Sequence, residues 1–286
     1  IMTRKLSALL ALILVPLFFG VVAGFHAELG KMMMDGVKLL APTGVMLTFA
    51  ILYFCVMTDA GLFDPFIRLI VRIVKGDPLK VVVGTAILGI SVALDGDGAT
   101  TYLICTAALL PLYRRLKIKL QYMATVLLLS IGVMNMLPWG GPTARAASAM
   151  KVDVGDLFML LLPVMLCGLA WVIFVAAVLG LRERRRLGVV KIDLSDETEQ
   201  RTKVTDYRYM FNSVLTLALL TMLVMGALPM ATLFMIAFAL AMLVNFPELK
   251  QQKEIIAKHA DNVLAIVSLI FAAGIFTGIL SGTGMV

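Results

Sequence analysis

Charged residues are scarce in this sequence: Asp, Glu, Lys and Arg together fill 15% of its 286 positions. Apolar residues fill 61%, and the mean hydropathy is +0.99. A soluble domain of this length needs a polar surface that such a composition cannot supply. The three cysteines lie inside apolar stretches and offer neither a disulfide framework nor the spacing of a metal site. The composition therefore argues against a soluble or a disulfide-stabilised protein.

What the sequence has instead is a series of apolar stretches, each roughly 15–25 residues long, the length of a helix that crosses a ~30 Å hydrocarbon layer. No small-residue cleavage site closes the first stretch, so we interpret it as a retained helix rather than a signal peptide. These properties predict an all-α membrane protein built like a transporter. We expect spans at 6–25, 39–60, 79–94, 99–113, 122–150 (interrupted), 157–181, 210–227, 230–246 and 263–280.

Two polar segments separate these stretches in an informative way. Residues 64–75 carry Arg68 and Arg72 one turn apart among apolar residues, which predicts a short amphipathic helix lying in the membrane interface. Residues 182–209 are rich in charged side chains and are interpreted as a cytoplasmic loop that joins two halves of the protein.

The basic residues indicate how the chain is oriented in the membrane. Nearly all of them fall in five segments that can share one side, namely the N-terminus, 64–80, 114–119, 182–208 and 247–260; the exceptions are Lys31, Lys38, Arg145 and Lys151. Because Lys and Arg are concentrated on the cytoplasmic side of membrane proteins, we expect these segments in the cytoplasm. The net charge of +7 is then explained by topology, without nucleic acid as a partner.

Residues 79–113 are expected to begin and end in the cytoplasm although they contain two apolar arms. Each arm is shorter than the ~20 residues that a full crossing needs. We therefore predict a re-entrant hairpin that turns back at mid-membrane, with two short spanning helices and an external turn as the alternative. The predicted tip consists of Asp95, Gly96, Asp97 and Gly98.

The stretch 122–150 contains a predicted helix break. Pro138 and Pro142 remove backbone donors and clash with the preceding turn, and the glycine pair between them adds backbone freedom. Acidic residues follow the break on the expected outer side, so the chain crosses the membrane once with an unwound centre. Trp139, inside the break, is interpreted as a packing residue or an interface anchor.

Both interruptions are candidate binding sites, because non-helical backbone at membrane depth must be satisfied by protein, water or a ligand. Helix N-termini suit an anion, and carboxylates suit a hard cation or a proton. Asp95 and Asp97 are therefore candidates for metal or proton binding, although Asp-Gly-Asp-Gly is also ordinary turn chemistry. In the second interruption Asn135 and Thr143 offer polar groups. Arg145 either binds a substrate carboxylate or extends to the outer surface, and both interpretations stay open.

A weak internal similarity relates the two ends of the chain. Phe49-Ala50 with Phe54 parallels Phe271-Ala272 with Phe276, and each set follows a polar stretch and an earlier span. The two polar stretches lie on opposite sides of the expected topology, as an inverted repeat requires, although chance similarity is the alternative. We expect a first repeat at 1–181 and the start of a second at 210–286, in a chain truncated at both ends.

Five stretches carry a resemblance to a known family of carriers. They are FAILYFCVMTDAGLFDPF (49–66), VKGDPLKVVVGTAIL (74–88), ALDGDGATTYLI (93–104), LPLYRRL (110–116) and MNMLPWGGPTARAASAMKVD (134–153). They resemble the citrate–metal:proton symporter family, the CitMHS-type carriers of the ion transporter superfamily. The resemblance implies two inverted repeats, each with a re-entrant hairpin and a broken helix. It also implies a multi-pass homodimer in the cell membrane that takes up citrate complexed with Mg²⁺ or Ca²⁺, driven by protons, with no tightly bound cofactor.

The resemblance also implies a set of site residues. Asp95 and Asp97 would handle metal or protons, and Arg145 is added from its chemistry alone. The alternatives are a carrier of di- or tricarboxylates that needs no metal and a cation/proton antiporter. An intramembrane enzyme is disfavoured, because the sequence lacks a nucleophile–His pair at a plausible depth. The expected substrate-binding residues are Gly96, Gly98, Thr100, Thr101, Asn135, Gly140, Gly141, Pro142, Thr143 and Arg145.

Overall fold

The computed structural model of the chain describes residues 6–65, 67, 69–70, 76–96, 98–150, 152–188 and 206–284. Within these ranges the backbone is helical almost throughout and contains no β-strand, which confirms the predicted all-α fold class. The helices are α1 (Ala8–Val22), α2 (Leu29–Asp59), α3 (Pro78–Val92), α4 (Gly98–Arg115), α5 (Leu120–Met134), α6 (Gly141–Met150), α7 (Val154–Leu187), α8 (Asp206–Met225), α9 (Met230–Asn245) and α10 (Leu249–Thr283).

Several of these helices suit a membrane. Among the described residues, four helical segments are long and apolar enough to cross one: Leu29–Asp59, Pro78–Asp95, Val154–Leu187 and Leu249–Thr283. Large apolar side chains also lie exposed on their surfaces; along α7, Leu160 is 75% exposed and Trp171 is 58% exposed. Exposed apolar surfaces of this size promote aggregation in water but are well solvated by lipid tails.

Three helices extend at least six residues beyond the predicted spans at one end. α2 begins at Leu29 rather than at 39, and α10 begins at Leu249 rather than at 263. α7 continues to Leu187, past the predicted end of its span at 181 and into the predicted loop. Hydropathy marks the apolar part of a helix, and the polar residues beyond it simply continue the same backbone. Most of the predicted interfacial helix 64–75 lies outside the described residues, and those of its positions that are described, 64, 65, 67, 69 and 70, are helical.

The described residues form two units, each assembled from separate stretches of the chain. The described residues within 1–53, 141–157 and 218–286 form the first unit, and those within 54–140 and 158–217 form the second. The predicted boundaries at 181 and 210 concern internal repeats rather than these units, and both the repeats and their inverted relation stay predictions.

The first unit is built around α10. Both α1 and α6 pack on this helix. α2 crosses it with almost no side chain between the two backbones, because a Cβ on Gly36 would collide with the carbonyl of Gly274 and lie 2.8 Å from the Cα of Gly278. Small residues at such a crossing let two helices approach closely, the usual way that helices associate in lipid.

The second unit holds the predicted hairpin. α3 packs on both α4 and α5. The two arms are tied by a buried 2.8 Å hydrogen bond between the Thr85 and Tyr113 hydroxyls. α3 also lies close against α5, since a Cβ on Gly89 would be 3.1 Å from Ser130. The two arms of the hairpin are therefore held to each other, and the first arm is packed on α5.

Candidate functional site

The tip of the hairpin is a tight turn between two helices, as the sequence predicts. α3 ends at Val92, a 3-10 turn covers Ala93–Asp95, and α4 begins at Gly98. Gly96 lies in the left-handed region with φ 74°, and its N–H donates to the Ala93 carbonyl at 3.1 Å. A residue without a Cβ adopts this conformation at little cost, so glycine suits the turn.

A buried carboxylate lies at this tip. Asp95 is 5% exposed and Thr101, on the first turn of α4, is fully buried. The Thr101 hydroxyl donates to Oδ1 of Asp95 at 3.4 Å. Because a helix N-terminus carries a partial positive charge, the start of α4 favours an anion here. Thr100 is half-buried beside the pair, and Asp97, the other predicted carboxylate, lies outside the described residues.

The second interruption is also where the sequence predicts it. α5 ends at Met134 and α6 begins at Gly141, which confirms the broken helix. The half-buried Asn135 ends α5, and its N–H donates to the Ile131 carbonyl at 2.9 Å. Gly140 closes the turn by donating to the Leu137 carbonyl at 2.9 Å. A Cβ on Gly140 would collide with the Asn135 carbonyl, so this position requires glycine.

Trp139 joins the two interruptions. Its indole N–H donates to the Leu94 carbonyl at 2.7 Å, a contact across 45 positions of sequence. The ring stacks on Phe54 with centroids 5.6 Å apart. It also borders the tip, since a Cβ on Gly96 would lie 3.2 Å from Cδ1 of Trp139. The sequence interpretation of Trp139 as a packing residue missed this bond; the signal was that a buried Trp N–H needs an acceptor.

The end of α5 lies beside the middle of α7, and the start of the hairpin lies near the end of α7. A Cβ on Gly168 would be 3.0 Å from Val133 at the end of α5, whereas a Cβ on Gly180 would be 2.9 Å from Leu79 at the start of the hairpin. At 1.5 Å per residue, the contact at Gly168 lies roughly 18 Å along the helix axis from the contact at Gly180. The whole of α7 is roughly 50 Å long. Because Pro78–Asp95 is itself long and apolar enough to cross a membrane, the re-entrant hairpin and the alternative of two short spanning helices both stay predictions.

The start of α6, in the first unit, holds four further predicted site residues. Thr143 is buried, whereas Pro142 and Arg145 are exposed. The Arg145 guanidinium turns back toward the start of its own helix, because a Cβ on Gly141 would lie 3.7 Å from its Nη2. A cation and a helix N-terminus thus occur together at the break, which is a suitable setting for a carboxylate. Both interpretations of Arg145, as a substrate ligand and as a side chain that extends to the outer surface, stay open.

The described residues do not form a site in which the protein alone encloses a metal. Within the ranges that the structure describes, no three His, Cys, Asp or Glu side chains come together in a way that could hold an ion. A cation that arrives with its own ligands needs fewer protein groups, since Mg²⁺ is usually bound through one or two carboxylates together with substrate oxygens and water.

Comparison with known proteins decides the family. The citrate transporter (CitMHS) family matches residues 1–286. This chain belongs to that family. A citrate transporter of Bacillus subtilis (strain 168) is 53% identical over 288 residues, covering 100% of this chain and 68% of the relative. A Mg²⁺/citrate complex secondary transporter of the same organism is 50% identical over 293 residues, with the same coverage of 100% and 68%.

No solved structure matches the chain. Family membership and the apolar helices together make this protein a multi-pass transporter of the cell membrane rather than an enzyme.

Proposed function

We propose that this protein is a secondary active transporter that moves citrate, complexed with a divalent metal cation, into the cell together with protons. The observation that carries the proposal is the 50% identity, over the whole chain, to a Mg²⁺/citrate complex secondary transporter. The family match over residues 1–286 supports citrate as the organic substrate. Coupling to protons and the choice between Mg²⁺ and Ca²⁺ are parts of the proposal.

The chemistry of the two interruptions supports such a substrate. A metal–citrate complex is partly neutralised, so it presents both oxygen-bound metal and free carboxylate. Asp95, buried beside Thr101, offers a carboxylate to the metal or to a proton. The start of α6, with the Arg145 guanidinium turned toward it, offers positive charge to a carboxylate. Citrate oxygens would complete the metal's shell, in keeping with the small number of acidic groups at the tip.

The proposed site residues are those that the sequence predicts. Asp95 and Asp97 are assigned to the metal or the proton. The substrate-binding residues are Gly96, Gly98, Thr100, Thr101, Asn135, Gly140, Gly141, Pro142, Thr143 and Arg145. Trp139 joins them as a positioning residue, because it bonds to the backbone of the tip.

Uptake of radiolabelled citrate by cells that express the complete gene tests the function. Mg²⁺ or Ca²⁺ is supplied or chelated, and a protonophore is added in a parallel series. We expect uptake that needs the metal and collapses with the proton gradient. Uptake indifferent to metal would replace the proposal with a plain carboxylate carrier, and ion flux without citrate would favour an antiporter.

Two matched variants test the site. Asp95→Asn removes the buried charge with almost no change of shape, and we expect it to abolish metal-dependent uptake. Asp156→Asn makes the same change on an exposed carboxylate of α7 and should transport normally. Wild-type uptake by Asp95→Asn would remove Asp95 from the site.

Light scattering of the purified protein tests the homodimer that the resemblance implies.

A further inference from the structure

The last turn of α7 contains a buried charge that the proposed site does not use. Glu183 is 1% exposed, the lowest value of any charged side chain in the described part of the chain. Arg186 donates to Oε2 of Glu183 through Nε at 3.0 Å and also through Nη2. Burying a carboxylate is costly unless it is paired, so this two-pronged contact explains how Glu183 is tolerated. Arg186 itself is partly exposed, so the buried member of the pair is Glu183, and its burial needs a further reason.

The same arginine reaches the exit end of the hairpin. Nη2 of Arg186 donates to the Lys117 carbonyl at 2.9 Å. Lys117 follows the end of α4 with φ 54°, a left-handed conformation that is uncommon for a residue with a side chain. The turn is closed by the Ile118 N–H, which donates to the Tyr113 carbonyl at 3.0 Å. Arg186 therefore holds the turn that ends the second arm.

A neighbouring arginine reaches the entry end. Asp77 precedes α3, is 7% exposed, and accepts from the Leu79 N–H at 3.0 Å, which caps the helix. Nε of Arg184 lies 3.6 Å from Oδ1 of Asp77. One turn earlier, Gly180 lets the backbone of α7 approach Leu79, whose Cα would be 2.9 Å from a Cβ at that glycine. The entry end thus rests directly on α7.

We propose that Glu183, Arg184 and Arg186 form a clamp that holds both ends of the hairpin and so sets the position of its tip. The tip lies about 22 Å from the entry end, the length of the 15-residue α3. A tilt of about 5° at that end moves Gly96 by about 2 Å, and misplacement by ~1 Å is enough to lower activity substantially. The clamp residues do not touch the proposed site, so their role is positioning. The clamp also joins three segments that the basic residues place on the cytoplasmic side.

The kinetic test of the clamp rests on the proposed function, because it measures uptake of metal–citrate. Arg186→Lys keeps the charge but loses the fork that contacts Glu183 and Lys117 together. Glu183→Gln keeps the shape and removes the charge. We expect each variant to raise the KM for metal–citrate about tenfold, with a smaller change in Vmax. Arg185→Gln and Arg185→Lys are the matched controls, because Arg185 is exposed and makes no ion pair with another described residue. Both controls should keep the wild-type KM.

A second measurement does not depend on transport. Hydrogen exchange of the purified wild-type protein, the two clamp variants and the controls reports the mobility of the tip directly. We expect the amides of 93–101 to exchange faster in Arg186→Lys and Glu183→Gln only. Unchanged KM and unchanged exchange in Arg186→Lys would overturn the clamp, even if Glu183→Gln failed to fold. If the wild-type protein takes up no citrate, the proposed function fails and the exchange experiment alone decides the clamp.

Discussion

Replacing Gly96 by alanine is the most direct test of the hairpin tip. Gly96 has φ 74° and lies against Trp139, where a Cβ would be 3.2 Å from both Cδ1 and the carbonyl oxygen. The substitution adds a single carbon and no charge. Any effect therefore comes from the conformation of the turn and from the space beside it, not from lost chemistry.

The expected cost of Gly96→Ala has two parts. An L-residue in the left-handed region costs about 1–2 kcal/mol relative to a relaxed backbone. Crowding against Trp139 adds about 1–3 kcal/mol, because the carbonyl is backbone and cannot swing away like the end of a side chain. Even the lower total of about 2 kcal/mol changes an equilibrium roughly 30-fold. The native turn should therefore be weakened about 30-fold relative to any other conformation of the tip.

Citrate uptake and the thermal midpoint of the purified protein measure this cost together. We expect Gly96→Ala to raise the KM for metal–citrate by at least about tenfold and to lower the midpoint. Gly132→Ala is the matched control: it lies in α5, has no atom within 4 Å of the new Cβ, and should behave like the wild type. Equal KM and equal midpoint in the two variants would refute the reasoning about the turn.

Three further substitutions probe other contacts. Trp139→Phe keeps an aromatic ring but removes the donor to the Leu94 carbonyl, which should cost about 1–3 kcal/mol and raise the KM for citrate. Gly36→Ala should lower the thermal midpoint, since its Cβ collides with the backbone of α10, whereas Gly30→Ala on the same helix meets no atom within 4 Å. Arg145→Gln should raise the KM with little effect on the midpoint, because the side chain is exposed; an unchanged KM would remove Arg145 from the site.

The positions of both interruptions could be predicted from sequence because they have local causes. Proline and glycine break a helix wherever they occur, so the break at 135–140 needed no tertiary information. The hairpin arms, predicted at 79–94 and 99–113, were found at Pro78–Val92 and Gly98–Arg115. The extents of α2, α7 and α10 were less accessible, because hydropathy records the thickness of the membrane and not the end of the hydrogen-bonded helix.

Tertiary contacts were beyond the reach of the sequence. Nothing in the local pattern says that Trp139 bonds to a carbonyl 45 positions away. Glu183 lies in a run of arginines that was interpreted as an exposed loop, yet it is 1% exposed at the end of a helix. The local sequence around Glu183 is the same whether the carboxylate is solvated or buried. Only the packing of α7 against the hairpin distinguishes the solvated from the buried case.

The bond from Trp139 to Leu94 suggests why the two interruptions occur next to each other. A helix that ends at membrane depth leaves carbonyl groups without partners, and this is expensive in a medium without water. α3 ends at Val92, and the Trp139 N–H, which comes from the second interruption, satisfies the Leu94 carbonyl just beyond it. One break in a helix therefore lowers the cost of the other. The Leu94 carbonyl is then satisfied without a substrate, so under the proposed function no binding energy of metal–citrate is needed for this carbonyl.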